Sequence, residues 1–186
     1  MVSRTAGAIT ACVFVALYAG HQIGDHVVQS DTVMQAKAIP SNDRLAAGAN
    51  PWSGWAACAH HVATFTLTQA AALLLISLSA PLRLTGVVAA LVTSAATHAV
   101  IDRRWVVAFV IRIKGCTDWS DGPYLLDQAL HYGALLVAAV LAATIATVTA
   151  VVATTTAALA LVAATLVMER WWARTASQRI GDPTRL

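Results

Sequence analysis

Four long stretches of the sequence contain no aspartate, glutamate, lysine or arginine, and this feature limits the folds open to the chain. The stretches are residues 5–24, 46–82, 84–101 and 128–168. Each reaches or exceeds the roughly 18 residues typical of a membrane-spanning helix. The last stretch is about twice as long as one crossing requires, so it has to fold back as two helices. The sequence therefore predicts a membrane protein.

The composition supports this prediction. Charged residues make up 11% of the chain and apolar residues 58%, whereas a soluble domain carries about 25% charged residues. The net charge of +3 comes from arginines and lysines at the ends of apolar stretches, as is typical of membrane anchoring. We therefore predict the lipid bilayer, and no nucleic acid, as partner. The predicted fold class is all-α, a polytopic transmembrane helix bundle.

The apolar stretches predict five spanning helices, with four helices as the alternative. Pro81 ends the second helix, because proline cannot continue a helix. No glycine or proline marks the junction of the last two helices, which we expect between about residues 147 and 156. The predicted helices cover about residues 6–29, 55–80, 84–104, 124 to the junction, and the junction to 172.

The remaining segments are assigned from their polarity. Residues 30–53 are predicted as a cytoplasmic loop whose first part, residues 31–38, continues as a short surface helix. Residues 105–114 either extend the third helix or lie in the interface as an amphipathic segment. We predict a single transmembrane domain over residues 1–172 and a basic cytoplasmic tail over residues 173–186.

The distribution of basic residues predicts the orientation. With five helices, Arg4 and Arg83 lie on one side of the membrane and the other ten basic residues lie on the opposite side. The positive-inside rule places the richer side in the cytoplasm and the N-terminus outside. The six tryptophans fall at the richer side, as expected of an aromatic belt. We expect a multi-pass protein of the inner (plasma) membrane.

Three pairs of histidine and aspartate stand out because their members are four residues apart. On a helix this spacing places both side chains on one face, one turn apart. The pairs are His21 with Asp25, His98 with Asp102, and Asp127 with His131, and a fourth element, His60-His61, opens the second helix. Since successive helices alternate in direction, all four elements are predicted to lie at the cytoplasmic face.

Imidazole and carboxylate groups are the ligand set of zinc, manganese and iron(II) sites. We therefore predict a divalent metal site, with zinc as first choice and manganese or iron as alternatives. The predicted ligands are His21, Asp25, His60, His98, Asp102, Asp127 and His131. Asp127 is predicted in a second role as well: if its carboxylate is left free of the metal, it acts as the general base that accepts a proton.

Several alternatives stay open at this point. His60 and His61 point about 100° apart on a helix, so one of them faces the bundle, and we prefer His60. His26 either joins the site or faces the headgroups. The same polar residues also suit an ion or proton relay, or a structural or partner-binding subunit whose polar network fixes helix packing. The oligomeric state is left open.

The polar residues of the first four helices follow a series of short motifs. These are His21-x3-Asp25-x3-Gln29, Lys37, a histidine on the second helix, His98-x3-Asp102, and Asp127-Gln128-x2-His131. Over about residues 18–133 the series resembles a family of small bacterial integral membrane proteins classed as a domain of unknown function. It is also similar to membrane-bound metal-dependent hydrolases. That similarity implies a metal-dependent activity, and the membrane location fits an amphiphilic or lipid substrate.

Overall fold

The described chain, residues 4–116 and 119–180 of a computed structural model, consists of helices joined by loops. The end of the predicted tail, residues 181–186, lies outside the described residues. The helices are α1 (Arg4–Ile23), which continues as a π-helical turn (Gly24–Val28), α2 (Asp31–Ala36), α3 (Asn42–Ala46), α4 (Trp55–Ser77), α5 (Leu84–Asp102), α6 (Trp105–Lys114), α7 (Gly122–Thr144), α8 (Val148–Arg174) and α9 (Ala176–Arg179).

Five segments are long and apolar enough to cross a membrane, which confirms the predicted five-span bundle over the four-helix alternative. They are Thr5–Val28, Trp55–Ser77, Leu84–Asp102, Gly122–Thr144 and Val148–Arg174. Large apolar side chains on the outside of the bundle remain exposed, among them Leu67 and Leu75 on α4 and Leu159 on α8. Apolar surface of this extent is suited to lipid.

The α7–α8 junction lies slightly earlier in the chain than predicted. α7 ends at Thr144 and α8 begins at Val148, and the Thr147 side chain accepts a hydrogen bond from the Ala150 backbone N–H at 3.2 Å. Threonine is a favoured residue at the first position of a helix because its oxygen satisfies a free backbone N–H. The capping threonine, and not a glycine or proline, was the available sequence signal.

The segment that follows α5 is a separate helix and does not extend α5. Arg104 has a left-handed backbone conformation, with φ of 63°, which ends α5 and redirects the chain. Val107 and Ile111 of α6 are buried with Ile101 and pack against the side of α7 that carries Leu130. Helix α6 therefore lies beside the ends of α5 and α7, where it forms one wall of the candidate site described below.

Helix α5 lies at the centre of the bundle, where it packs against α4, α7 and α8. An apolar core that includes Val13, Leu17, Leu73 and Leu135 fills one end of the bundle. The opposite end carries the buried polar side chains of the His/Asp elements. The division of the chain at residues 172 and 173 stays a prediction, and α9 packs against α3 in the described part of the tail.

Helices α1 and α4 approach each other closely at Gly20. A methyl group at this position would lie 2.8 Å from Gln69 Cα and 3.0 Å from Gln69 N. The close approach allows the Gln69 side chain to donate to Leu17 O at 3.2 Å and Thr68 Oγ1 to donate to Gly20 O at 2.8 Å. Small residues at membrane helix contacts permit this kind of packing.

Gly20→Ala is expected to destabilise the protein by about 1–3 kcal/mol, because the added methyl forces the α1 and α4 backbones apart. The matched control is Gly7→Ala, where the methyl would meet nothing within 4 Å. This control should be neutral or stabilising by up to about 1 kcal/mol, since alanine favours a helix. Unfolding followed by circular dichroism in detergent measures both variants. Equal stability of the two would contradict the close packing.

Candidate metal centre

Four side-chain atoms meet at the polar end of the bundle. They are His61 Nε2 on α4, His98 Nε2 and Asp102 Oδ2 on α5, and Asp25 Oδ1 in the π-helical turn. The two nitrogens are 2.9 Å apart. His61 Nε2 lies 3.2 Å from the Asp25 oxygen and 3.4 Å from the Asp102 oxygen. His98 Nε2 lies 3.4 Å from the first and 3.1 Å from the second.

These distances fit the ligand shell of a small divalent cation. A tetrahedral zinc ion with ligands at about 2.0–2.1 Å holds any two of its ligand atoms about 3.3 Å apart. The five separations given above run from 2.9 to 3.4 Å. The geometry and the chemistry of the donor atoms therefore both suit a metal ion.

Hydrogen bonds alone do not account for the cluster. A neutral imidazole carries one N–H, so two nitrogens cannot supply a proton to each of five short contacts. Asp25 Oδ1 and Asp102 Oδ2 are buried, and the two histidine nitrogens are the described groups that approach them. Two carboxylates that approach the same point inside a membrane need a compensating positive charge.

Local structure explains how the four residues converge. His98 and Asp102 are one turn apart on α5, and Phe65 of α4 stacks on the His98 ring with centroids 3.7 Å apart. Asp25 lies in the π-helical turn, an element that is frequent at functional sites. Asp25, His98 and Asp102 thus take the positions that the sequence predicted for them, and the role of these residues as ligands stays a proposal.

The choice of His60 over His61 is wrong. His61 is 1% exposed and contributes to the cluster, whereas His60 is exposed on the outer side of α4. The rotation of α4 is set by its buried face, which consists of Cys58, His61, Phe65, Gln69 and Leu73. These residues are spaced three or four apart, as one face of a helix requires. The sequence shows this spacing, but only the packing of the bundle shows that this face of α4, and with it His61, turns inward.

His21 lies beside the four-atom cluster. Its Nδ1 is 3.7 Å from Asp25 Oδ2, and its Nε2 is 3.3 Å from Gln128 Oε1. His21, Asp25 and His98 also form a group whose possible ligand atoms lie within 4.8 Å of one another. His21 is therefore placed either to orient Asp25 or to extend the ligand set.

His131 and Asp127 form a pair on α7. His131 Nδ1 lies 2.9 Å from Asp127 O and 3.4 Å from Asp127 Oδ2. This contact leaves His131 Nε2 buried without a described hydrogen-bond partner, and the His131 ring centroid is 4.5 Å from that of His98. The Asp127 carboxylate, 24% exposed, contacts His131 and Gln128, so Asp127 is placed to orient His131.

Lys37 contacts Asp102, a role that the motif series in the sequence did not specify. Its ammonium lies 2.7 Å from Asp102 Oδ1 and donates to Gln29 Oε1 at 3.3 Å. Lys37 thus holds one Asp102 oxygen while the other faces the histidines. A group that holds one oxygen of a carboxylate fixes the direction in which the other oxygen points, as outer groups do for metal ligands.

A buried ion pair that the sequence analysis missed lies beneath the site. Arg103 is fully buried and donates to Glu169 Oε1 at 2.5 Å, while Trp55 Nε1 donates to Glu169 Oε2 at 2.8 Å. Arg103 also donates to the carbonyl oxygens of residues 37, 51 and 53 at 2.8–2.9 Å. Arg103 therefore holds the α2–α4 connection, including Lys37, against α5 and α8 and is not a headgroup anchor.

A cavity of about 500 Å³ adjoins the cluster. Asp25, Asp102 and Asp127 are among the residues that line it, and α6 forms one of its walls. His26 is exposed and lines this cavity outside the four-atom cluster. A small molecule in the cavity would therefore contact the same carboxylates that face the histidines.

Comparison with known proteins identifies a family for this chain. A family model described as "Protein of unknown function (DUF3307)" matches residues 13–162, which is more than half of the chain. The matched range contains His61 and all seven predicted ligands. No curated protein and no solved structure matches the chain. The chain belongs to the DUF3307 family of proteins of unknown function.

Proposed function

We propose that this protein is a membrane-embedded metal-dependent hydrolase that acts on an amphiphilic substrate. The observation that carries the proposal is the approach of His61 Nε2, His98 Nε2, Asp25 Oδ1 and Asp102 Oδ2 at separations suited to one divalent cation. Zinc is the first candidate, and manganese or iron(II) are the alternatives.

The chain's own residues divide the remaining tasks in this proposal. A bound divalent metal would supply a nucleophile at neutral pH and polarise the scissile group. Lys37 keeps Asp102 oriented through its 2.7 Å contact. His131 Nε2 accepts a proton from the attacking water, and Asp127 holds the opposite nitrogen of the ring. The sequence predicted Asp127 itself as the base, and the geometry favours action through His131.

The location of the cavity supports an amphiphilic substrate. The cavity lies at the end of five apolar spans, where the bilayer meets water. A lipid-like molecule can extend a headgroup to the carboxylates while its chain remains in the membrane. In this proposal the protein lies in the inner membrane with its N-terminus outside and the site at the cytoplasmic face, as the basic residues predict.

A closed structural metal site is the second candidate. Four protein ligands complete a tetrahedral zinc shell, which is typical of structural sites, whereas catalytic zinc keeps or gains a position for water or substrate. The four-atom cluster favours this alternative, and the adjoining cavity favours hydrolysis. The two candidates differ in whether a bound metal supports turnover.

The hydrolase proposal is tested with purified protein in mixed micelles that contain a long-chain phosphate monoester, phosphodiester or carboxylic ester. We expect product release from one probe class, loss of release after chelation and dialysis, and recovery when zinc, manganese or iron(II) is returned. If the protein binds one equivalent of metal but hydrolyses none of the probes, the hydrolase proposal is wrong and the structural metal site is favoured. If the metal-free protein conducts protons in liposomes, the alternative of an ion or proton relay is favoured.

Asp127→Asn is expected to lower the hydrolysis rate by up to about 100-fold, the lower end of the range for general acid–base catalysis, because Asp127 acts through His131 and its backbone contact to His131 Nδ1 remains. The bound metal should be retained, because Asp127 contacts His131 and Gln128. Asp121→Asn, at an exposed position just before α7, is the matched control and should keep both rate and metal. Elemental analysis and initial rates on the same preparations provide the measurement. Loss of metal in Asp127→Asn would instead make Asp127 a ligand.

A further inference from the structure

The cavity beside the candidate metal centre contains N–H donors without acceptors. Trp105 Nε1 and Gln29 Nε2 are buried and have no described hydrogen-bond partner, and both residues line the cavity. A buried donor without a partner costs about 1–3 kcal/mol. Two of them around one cavity indicate a ligand that brings acceptor oxygens.

Arg179 brings a buried positive charge to the same cavity. It is 4% exposed and its ring neighbour is Trp172, whose centroid lies 3.8 Å from the guanidinium carbon. Its three nitrogens donate to neutral acceptors, namely Asn42 Oδ1, Thr175 Oγ1 and Trp172 O. No carboxylate among the described residues forms an ion pair with it. Two of its five N–H groups are left for another acceptor.

A second guanidinium lies near Arg179. Burial, together with the positive charge of Arg112, lowers the pKa of Arg179 to about 10, so Arg179 remains protonated at neutral pH. Arg104 and Arg112 line the same cavity. An anion in the cavity would stabilise the buried charge of Arg179, because opposite charges attract strongly away from water.

The three aspartates that line the cavity are engaged elsewhere and form no described ion pair with Arg179. Asp25 and Asp102 face the histidines, and Asp127 is paired with His131. Much of the remaining wall is apolar and includes Met34 and Val107. The lining of the cavity thus combines carboxylates that face the histidines, arginine side chains and apolar side chains.

We propose that the cavity binds a long-chain phosphate ester, with its phosphate held by Arg179 and Trp105 and its hydrocarbon chain along the apolar wall. This substrate class rests on the proposed function for its hydrolysis but not for its binding. Phosphate suits the site because it is dianionic near neutral pH, and its several oxygens are able to accept from the Arg179 guanidinium and from the Trp105 N–H at the same time. Arginine also matches the geometry of phosphate oxygens with paired N–H groups.

Binding is measured on the full chain in detergent micelles after chelation and dialysis, so that hydrolysis does not occur. The probes are dihexanoyl phosphatidate, dihexanoyl phosphatidylcholine and inorganic phosphate, followed by isothermal titration calorimetry. We expect phosphatidate to bind at least tenfold more tightly than either of the others. The choline lipid tests whether the charge of a monoester is recognised, and inorganic phosphate tests whether the chain contributes.

Two variants and a control assign the binding to named residues. Arg179→Gln should weaken phosphatidate binding about 10–100-fold, as expected for a charge-assisted hydrogen bond. Trp105→Phe, which removes one N–H and keeps the aromatic packing, should weaken it several-fold. Arg170→Gln should have no effect, because Arg170 is an exposed arginine that contacts Trp52 and lines a different pocket.

Three results would overturn this proposal. Equal affinity for phosphatidate and the choline lipid would exclude recognition of the phosphate monoester, and equal affinity for inorganic phosphate would exclude a contribution from the chain. Unchanged binding in both Arg179→Gln and Trp105→Phe would exclude the assigned residues. Since binding is measured without metal, absence of hydrolysis would contradict the proposed enzyme and leave this inference intact.

Discussion

Replacing His61 by alanine is expected to remove stoichiometric metal from the purified protein, whereas the same replacement at His60 should leave the metal content unchanged. The two histidines are adjacent in sequence, but only His61 places its Nε2 within 3.4 Å of both Asp25 and Asp102 oxygens. Loss of a residue that merely orients a ligand lowers metal affinity about 10–100-fold. Loss of the ligand itself should exceed this range.

Elemental analysis after dialysis, followed by competition with a chromophoric chelator, measures the effect. His98→Ala provides a second test, because His98 Nε2 also approaches both Asp25 Oδ1 and Asp102 Oδ2. Both variants are compared with wild type by size-exclusion chromatography, so that loss of metal is separated from loss of fold. Full metal content in folded His61→Ala and His98→Ala would refute the proposed centre.

Breaking the Arg103–Glu169 pair is expected to lower the free energy of unfolding by about 3–5 kcal/mol, since removal of one partner leaves a buried charge uncompensated. Arg103→Met and Glu169→Leu each produce this situation, because both side chains are fully buried. Reversible unfolding in mixed detergent micelles, monitored by circular dichroism, provides the free energies.

The double variant Arg103→Met/Glu169→Leu should recover part of this loss, because no unpaired charge remains. Recovery should be incomplete, since the carbonyl oxygens of residues 37, 51 and 53 lose their donor. Arg83→Met, at an exposed position at the other end of the bundle, should change stability by less than about 0.5 kcal/mol. Single variants as stable as Arg83→Met would show that the buried pair does not support the fold.

The five spans and the residue pairs at their ends were predictable because both follow from local rules. A charge-free stretch long enough to cross the bilayer has to be helical, because every backbone group must find a partner inside the lipid. Helix pitch then places His98 and Asp102 on one face. Alternating direction brings His21, His98 and His131 to the same end of the bundle.

Contacts between distant segments could not be read from these rules. Each spanning helix is free to rotate about its axis until packing fixes it, and the packing of α4 turned His61 and not His60 towards the centre. Glu169 lies 66 residues from Arg103, and neither residue has a local partner that would reveal the pair. Helix spacing sets which side chains share a face. Only the assembled bundle sets which faces meet, because burial and charge pairing are satisfied across the whole molecule at once.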